Sequence, residues 1–123
     1  MKSRLWWLPF GNAVEIKPEK LKQWLDNGSM VQLIDARTSL EYSQGTISGA
    51  RHAPVTRLPA SVNRLNLDPS RPVVVLCASG HRSLPGTRLL RSRGVEAYSL
   101  KGGILAWSRR GFPLVKPASR GQD

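Results

Sequence analysis

Residues 73–83 read Val-Val-Val-Leu-Cys-Ala-Ser-Gly-His-Arg-Ser, and this stretch decides how the rest of the chain is interpreted. Four consecutive apolar residues, three of them β-branched, are typical of a central strand that helices cover on both faces. Gly80 supplies the backbone freedom that a tight loop needs, and a helical pattern follows from Ser83 to a glycine stop at Gly94. The stretch therefore predicts a strand, a short loop and a helix, with Cys77 directly after the strand.

Short apolar runs alternate with helical patterns on both sides of this stretch. Further helices are predicted from Pro18, after the capping box Thr38–Glu41, from Pro59 to Leu65 and over Ile104–Arg109, and further strands at residues 31–35 and 95–100. This alternation predicts an α/β domain with a mostly parallel sheet. Ligands bind beyond the carboxyl ends of the strands in such sheets, which is where Cys77 falls.

The helix that follows the loop is predicted to turn three leucines inward, Leu84, Leu89 and Leu90. Pro85 is tolerated because it falls in the first turn. The Pro85-Gly86 pair nevertheless weakens this helix, and we expect it to loosen the loop.

The chain has 123 residues, which fits one domain. We expect an arm at residues 1–12, a domain at 13–115 and a flexible tail at 116–123. The arm carries Trp6 and Trp7 beside Lys2 and Arg4. Two interpretations stay open for it: packing on the domain, or contact with a membrane surface or partner.

Cys77 is the only cysteine, which excludes an intramolecular disulfide, a CxxC redox pair and a multi-cysteine zinc site. A free thiol suits a reducing compartment, so we expect a cytoplasmic protein. Lys and Arg total 19 against 8 Asp and Glu, a net charge of +11. This charge favours a small anionic substrate or a solvated basic surface, and no nucleic-acid-binding motif accompanies it, so no nucleic acid partner is expected.

The loop around Cys77 favours a reactive thiolate over a buried structural cysteine. A helix start presents unpaired N–H groups and partial positive charge, a curled loop can aim further N–H groups inward, and Arg82 adds a full charge. The candidate site comprises the nucleophile Cys77 and the loop residues Ala78, Ser79, Gly80, His81, Arg82 and Ser83. We assign His81 a contact with donor or partner rather than the role of general base.

Several motifs, in order along the chain, resemble those of the rhodanese family. They are Asp35-Ala36-Arg37, Glu41-Tyr42, Gly45-Thr46-Ile47-Ser48-Gly49-Ala50, Cys-x-x-Gly-x-Arg-Ser at 77–83, and Leu100-Lys101-Gly102-Gly103 with Ala106-Trp107. The resemblance spans about residues 14–112. It implies one rhodanese domain with about five parallel strands, and transfer of a sulfane sulfur through a persulfide on Cys77, with no other cofactor and no metal.

The resemblance also implies the partners and the supporting residues. The donor is a small sulfur anion such as thiosulfate or a polysulfide, and the acceptor is a thiol, a protein or cyanide. Asp35, Arg37 and Glu41 are supporting residues, and we expect Arg37 to pair with Glu41 or a backbone carbonyl. Ala78 stands where many relatives carry Arg, and this change weakens the attraction for dianionic thiosulfate. Thr46 stands where relatives usually carry His, and we expect Thr46 to have a structural role.

Three functions are rivals to sulfur transfer. A cysteine phosphatase of the cell-cycle dual-specificity type needs five residues between Cys and Arg, whereas four separate Cys77 from Arg82, and no second cysteine supports an arsenate reductase. A catalytically weak rhodanese module that binds partners is the alternative that stays open.

Overall fold

The computed structural model describes residues 14–80 and 83–117, apart from the side chains of Val55 and Pro59. The elements in chain order are β1 (Glu15–Ile16), α1 (Pro18–Asp26), β2 (Gln32–Asp35), α2 (Ser39–Gln44), β3 (Arg51–His52), a 3-10 turn (Val55–Arg57), α3 (Leu58–Leu65), β4 (Val73–Leu76), α4 (Ser83–Ser92), β5 (Ala97–Leu100) and α5 (Gly103–Arg109). The arm predicted at residues 1–12 and most of the predicted tail lie outside the described residues.

The strands form one five-stranded sheet in the order β1-β5-β4-β2-β3, and every pair is parallel. The α/β fold with a parallel sheet is therefore confirmed. Strand β4 lies at the centre, and Leu76 at its end pairs with Asp35 at the end of β2. The carboxyl ends of these two strands meet at one edge of the sheet, next to Cys77.

Helices cover both faces of the sheet, which explains the continuous apolar run of β4. On one face, Val74 and Leu76 pack in a cluster that includes Leu21 of α1 and Trp107 of α5. On the other face, Val73 and Val75 pack in a cluster with residues of α3 and α4. All four residues of β4 have no exposed surface, and the prediction of a strand buried on both sides is confirmed.

Most predicted element boundaries lie within one or two residues of those in the structure. Helix α2 has the predicted capping box, in which Thr38 accepts from the Glu41 amide and Glu41 accepts from the Thr38 amide. Strands β1 and β3, of two residues each, were not predicted from the local sequence pattern. Strands this short carry no measurable alternation of apolar and polar residues.

The inner face of α4 differs from the prediction. Leu90 is buried, but Leu84 and Leu89 are only half-buried, and Gly86 and Thr87 take inner positions instead. A small residue at 86 and a hydroxyl at 87 let α4 lie close to the sheet, where the Thr87 and Ser99 hydroxyls are 2.6 Å apart. Pro85 falls in the first turn, where its missing N–H leaves no helical bond unmade.

Within the described ranges, none of the helices has the length and apolar character that crossing a bilayer requires.

Candidate active site

The loop after β4 curls back on the cysteine sulfur. Cys77 has no exposed surface, and the Gly80 amide donates a hydrogen bond to its Sγ over 2.8 Å. Gly80 has φ +96°, a left-handed conformation that favours glycine. The chain from Cys77 to Gly80 curls tightly around the sulfur, as predicted. This curl needs glycine at position 80 because the backbone there is left-handed.

Helix α5 holds the loop from outside. The Ile104 amide donates to the Cys77 carbonyl over 2.8 Å, and the Leu105 amide donates to the Ala78 carbonyl over 3.0 Å. The first N–H groups of a helix have no partner within the helix, so the loop carbonyls satisfy two of them. These bonds turn the two carbonyls towards α5 and fix the backbone of the loop.

Two glycines make this close approach possible. A Cβ added to Gly103 would lie 2.4 Å from the Cys77 carbonyl oxygen and 2.5 Å from that of Ala78. A Cβ added to Gly80 would lie 2.9 Å from the Gly102 nitrogen. Sequence reasoning used Gly103 only as a motif residue and missed this role. The signal in the sequence was the pair of glycines, Gly102 and Gly103, directly before the predicted helix Ile104–Arg109.

The remaining loop residues differ in exposure. Ala78 is half-buried and Ser79 is exposed. Ser83 is buried at the start of α4, where its carbonyl accepts from the Thr87 hydroxyl over 2.9 Å. His81 and Arg82, predicted as loop residues, lie outside the described residues.

A buried ion pair stands beside the loop, at the end of β2. Arg37 donates to both carboxylate oxygens of Asp35, with Nη2 to Oδ2 at 2.8 Å, and its Nη2 also donates to the Gly45 carbonyl. The Thr46 hydroxyl donates to Asp35 Oδ2 over 2.8 Å. Asp35 has no exposed surface. Arg37 therefore fixes a backbone carbonyl, as predicted, and Thr46 has the structural role that was expected.

The carboxylate partner of Arg37 differs from the one named in the prediction. Asp35, only two residues away, takes the guanidinium in a two-point contact, while Glu41 closes the capping box of α2. His52, which had no assigned role, contacts the Arg37 carbonyl through Nε2 at 2.7 Å and stacks on Tyr42 with ring centres 4.7 Å apart. The carboxyl ends of β2 and β3 are thus tied to each other beside the loop.

No three His, Cys, Asp or Glu side chains lie together as a metal site within residues 14–80 and 83–117. In the described part of the chain, the polar group shown on Cys77 Sγ is the backbone amide of Gly80. An N–H donor in this position suits an anion on sulfur.

Comparison with known proteins agrees with this geometry. Residues 17–110 match the rhodanese-like domain. The chain belongs to this family. It is 38% identical over 104 residues to the sulfurtransferase of Allochromatium vinosum, covering 84% of this chain and 95% of that protein. It is 33% identical over 99 residues to the thiosulfate sulfurtransferase GlpE of Stutzerimonas stutzeri, covering 80% and 86%.

A solved structure shows the same rhodanese fold. The rhodanese-like domain protein of Staphylococcus aureus superimposes with a TM-score of 0.70 at 30% identity, over 76% of this chain and 90% of that one. The resemblance inferred from the motifs is therefore confirmed at the level of family and fold.

Proposed function

We propose that this rhodanese-like protein is a sulfurtransferase that carries a sulfane sulfur as a persulfide on Cys77. The observation that carries the proposal is the Gly80 amide, which donates to Cys77 Sγ at 2.8 Å. An N–H group aimed at sulfur stabilises the anionic form, which is the nucleophile in sulfur chemistry. The names of the relatives, a sulfurtransferase and a thiosulfate sulfurtransferase, support the same reaction class.

The loading step is a nucleophilic displacement on sulfur. The Cys77 thiolate attacks the outer sulfur of thiosulfate, a new S–S bond forms, and the old S–S bond breaks with its electron pair leaving on sulfite. A polysulfide donor reacts in the same way and releases a shorter polysulfide. The product is an anionic persulfide on Cys77.

The discharge step regenerates the enzyme without any external oxidant or cofactor. A thiolate or cyanide attacks the outer sulfur of the persulfide, and the electron pair of the broken bond returns to Cys77. Splitting the transfer into two displacements through a covalent intermediate is ordinary nucleophilic catalysis. The sulfur acceptor is a small thiol or a protein thiol, and a lone free cysteine suits a reducing compartment such as the cytoplasm.

The loop contributes by holding its donors in place before reaction. Because α5 and the close packing of Gly80 on Gly102 fix the loop backbone, the amide of Gly80 needs no reorganisation when negative charge moves between the two sulfurs. Arg82 supplies additional positive charge two positions after Gly80. Since Cys77 has no exposed surface, a donor must displace part of its surroundings before attack.

Intact mass measurement tests this proposal. Reduced protein is incubated with thiosulfate or with polysulfide, and then with a thiol or cyanide; Cys77→Ala is the control. The proposal predicts a gain of one sulfur that requires Cys77 and disappears with the acceptor. No gain from either donor would contradict it and would favour the partner-binding module.

A further inference from the structure

A cavity of about 560 Å³ opens beside the loop, at the carboxyl ends of β1 and β5. Three basic residues line it, Lys17, Lys101 and Arg110, together with one acidic residue, Glu19. Ligands of parallel α/β sheets bind at this edge. The position and the charge both indicate a binding site for an anion next to the loop.

The single carboxylate of the cavity is already engaged. Arg110 Nε donates to Glu19 Oε2 over 2.7 Å, and this hydrogen bond holds the pKa of Glu19 below its ordinary value. Lys17 and Lys101 are exposed, and neither forms an ion pair with another described residue. Two cations are therefore left to attract an anion into the cavity.

The backbones of Gly102 and Gly80 lie between the cavity and the reacting sulfur. Gly102 lines it, and the Gly102 nitrogen lies 2.9 Å from where a Cβ of Gly80 would stand. Gly80 in turn donates to Cys77 Sγ. The Lys101 backbone is fixed by its amide, which donates to the Ile16 carbonyl over 2.9 Å. A carboxylate held at Lys101 therefore lies one residue along the chain from the contact between Gly102 and the loop.

We propose that this cavity binds the carboxylates of a small thiol that accepts sulfur from Cys77. The inference rests on the proposed function and names its acceptor class. Thiosulfate carries its charged oxygens two bonds from the reacting sulfur, so it needs only the loop. A cavity of this size beside the loop suits a molecule whose negative charge and sulfur are several bonds apart.

The reaction with such an acceptor needs no oxidant or reductant. The acceptor thiolate forms a bond to the outer sulfur of the persulfide, the bond to Cys77 breaks, and its electron pair leaves on the Cys77 sulfur. The products are the Cys77 thiolate and an acceptor persulfide. Lys17 and Lys101 touch only the carboxylates and are binding residues.

The test compares two acceptors that differ in charge. Protein loaded with polysulfide and freed of excess donor is discharged with mercaptosuccinate, which carries two carboxylates, or with neutral 2-mercaptoethanol, and rates are normalised to thiolate concentration. In the double variant K17Q/K101Q we expect discharge to mercaptosuccinate to slow about fivefold or more, as for the loss of two exposed charge contacts. Discharge to 2-mercaptoethanol stays unchanged, which also shows that the variant is folded.

Two single variants sharpen the test. Glu19→Gln removes the carboxylate and releases Arg110, so discharge to mercaptosuccinate is expected to accelerate. Lys20→Gln makes the same charge change as Lys17→Gln on an exposed residue of α1 outside the cavity lining, and it is expected to leave the ratio of the two rates unchanged.

The two ways of failing are distinct. If persulfide forms but the ratio of the two discharge rates is the same in the wild type, K17Q/K101Q and E19Q, the anion site is wrong and the proposed function stands. If neither donor yields a persulfide in the wild type or in any variant, the proposed function is wrong. The acceptor role of the cavity is then wrong as well.

Discussion

The amide nitrogen of Gly80 lies 2.8 Å from the sulfur of Cys77, three residues earlier in the chain. This contact closes a small ring of backbone around one sulfur atom. It depends on φ +96° at Gly80 and on the absence of a side chain there. The chemistry proposed for the site therefore depends on glycine backbone geometry as much as on the nucleophile.

Gly80→Ala should slow sulfur loading on Cys77, and the variant should still fold. The new Cβ would lie 2.9 Å from the Gly102 nitrogen, a backbone atom that cannot move freely, so the loop must shift and its amide must leave the sulfur. We expect loading from polysulfide, followed by mass, to slow at least tenfold, the usual scale for the loss of one preorganised donor being about 10²–10³. Loading at the wild-type rate would show that this amide is not a catalytic donor.

Gly103→Ala should destabilise the protein strongly. A Cβ there would meet the carbonyls of Cys77 and Ala78 at 2.4 and 2.5 Å, and would separate the loop from α5. We expect a loss on the order of 3 kcal/mol in the free energy of unfolding, measured by urea denaturation, because overlap adds to left-handed strain.

Gly28→Ala is the matched control for both glycine variants. Gly28 has φ +76°, but nothing lies within 4 Å of an added Cβ. It should cost only the left-handed strain, about 1–2 kcal/mol, and leave sulfur loading unchanged. Equal losses in G28A and G103A would mean that contact with the loop carbonyls contributes nothing.

The sequence predicted the strand, the turn at Gly80 and the helix from Ser83 well because their determinants are local. A run of four apolar residues, a glycine three positions after Cys77 and a helical pattern from Ser83 are all visible within residues 73–94. The two bonds from α5 to the loop were not predicted. They join residues 104 and 105 to residues 77 and 78, and no local alternation of apolar and polar residues encodes backbone pairing at that distance. Its one sign in the sequence is the glycine pair at the start of α5.

The buried pair of Asp35 and Arg37 should be essential for stability. Asp35→Asn keeps the shape of the side chain but leaves the buried Arg37 guanidinium without its countercharge, and we expect a loss of about 3 kcal/mol or more in urea denaturation. Asp26→Asn is the control, since it breaks the exposed ion pair with Lys22 and should cost less than about 1 kcal/mol. Similar losses in the two variants would contradict a supporting role for Asp35.

The choice of Asp35 over Glu41 as partner of Arg37 shows a second limit of sequence reasoning. Both carboxylates lie within four residues of Arg37 along the chain, and spacing alone does not rank them. Burial decides between the two carboxylates. Asp35 ends a central strand and has no exposed surface, so its charge requires a cation. Glu41 belongs to the exposed capping box of α2.

Ala78→Arg should improve the use of thiosulfate. Ala78 is half-buried beside the nucleophile, and a cation there would attract a dianionic donor more than it attracts a neutral reagent. We expect the second-order rate of loading from thiosulfate to rise roughly tenfold at low ionic strength, with the gain lost at high salt. Ala78→Gln controls for side-chain size, and an equal gain in A78Q would rule out an electrostatic cause.

The central claim is that Cys77 accepts a sulfur atom by displacing the rest of the donor, and a single-turnover reaction tests it most directly. Enzyme in excess over thiosulfate is quenched at intervals with a thiol-blocking reagent, free sulfite is quantified, and the peptide that contains Cys77 is examined by mass spectrometry. The account predicts that sulfite appears at the same rate as a sulfur on Cys77, in equal amounts, and that Cys77→Ser shows neither. Sulfite release without a modified Cys77, or an unmodified Cys77 after both thiosulfate and polysulfide, would contradict it.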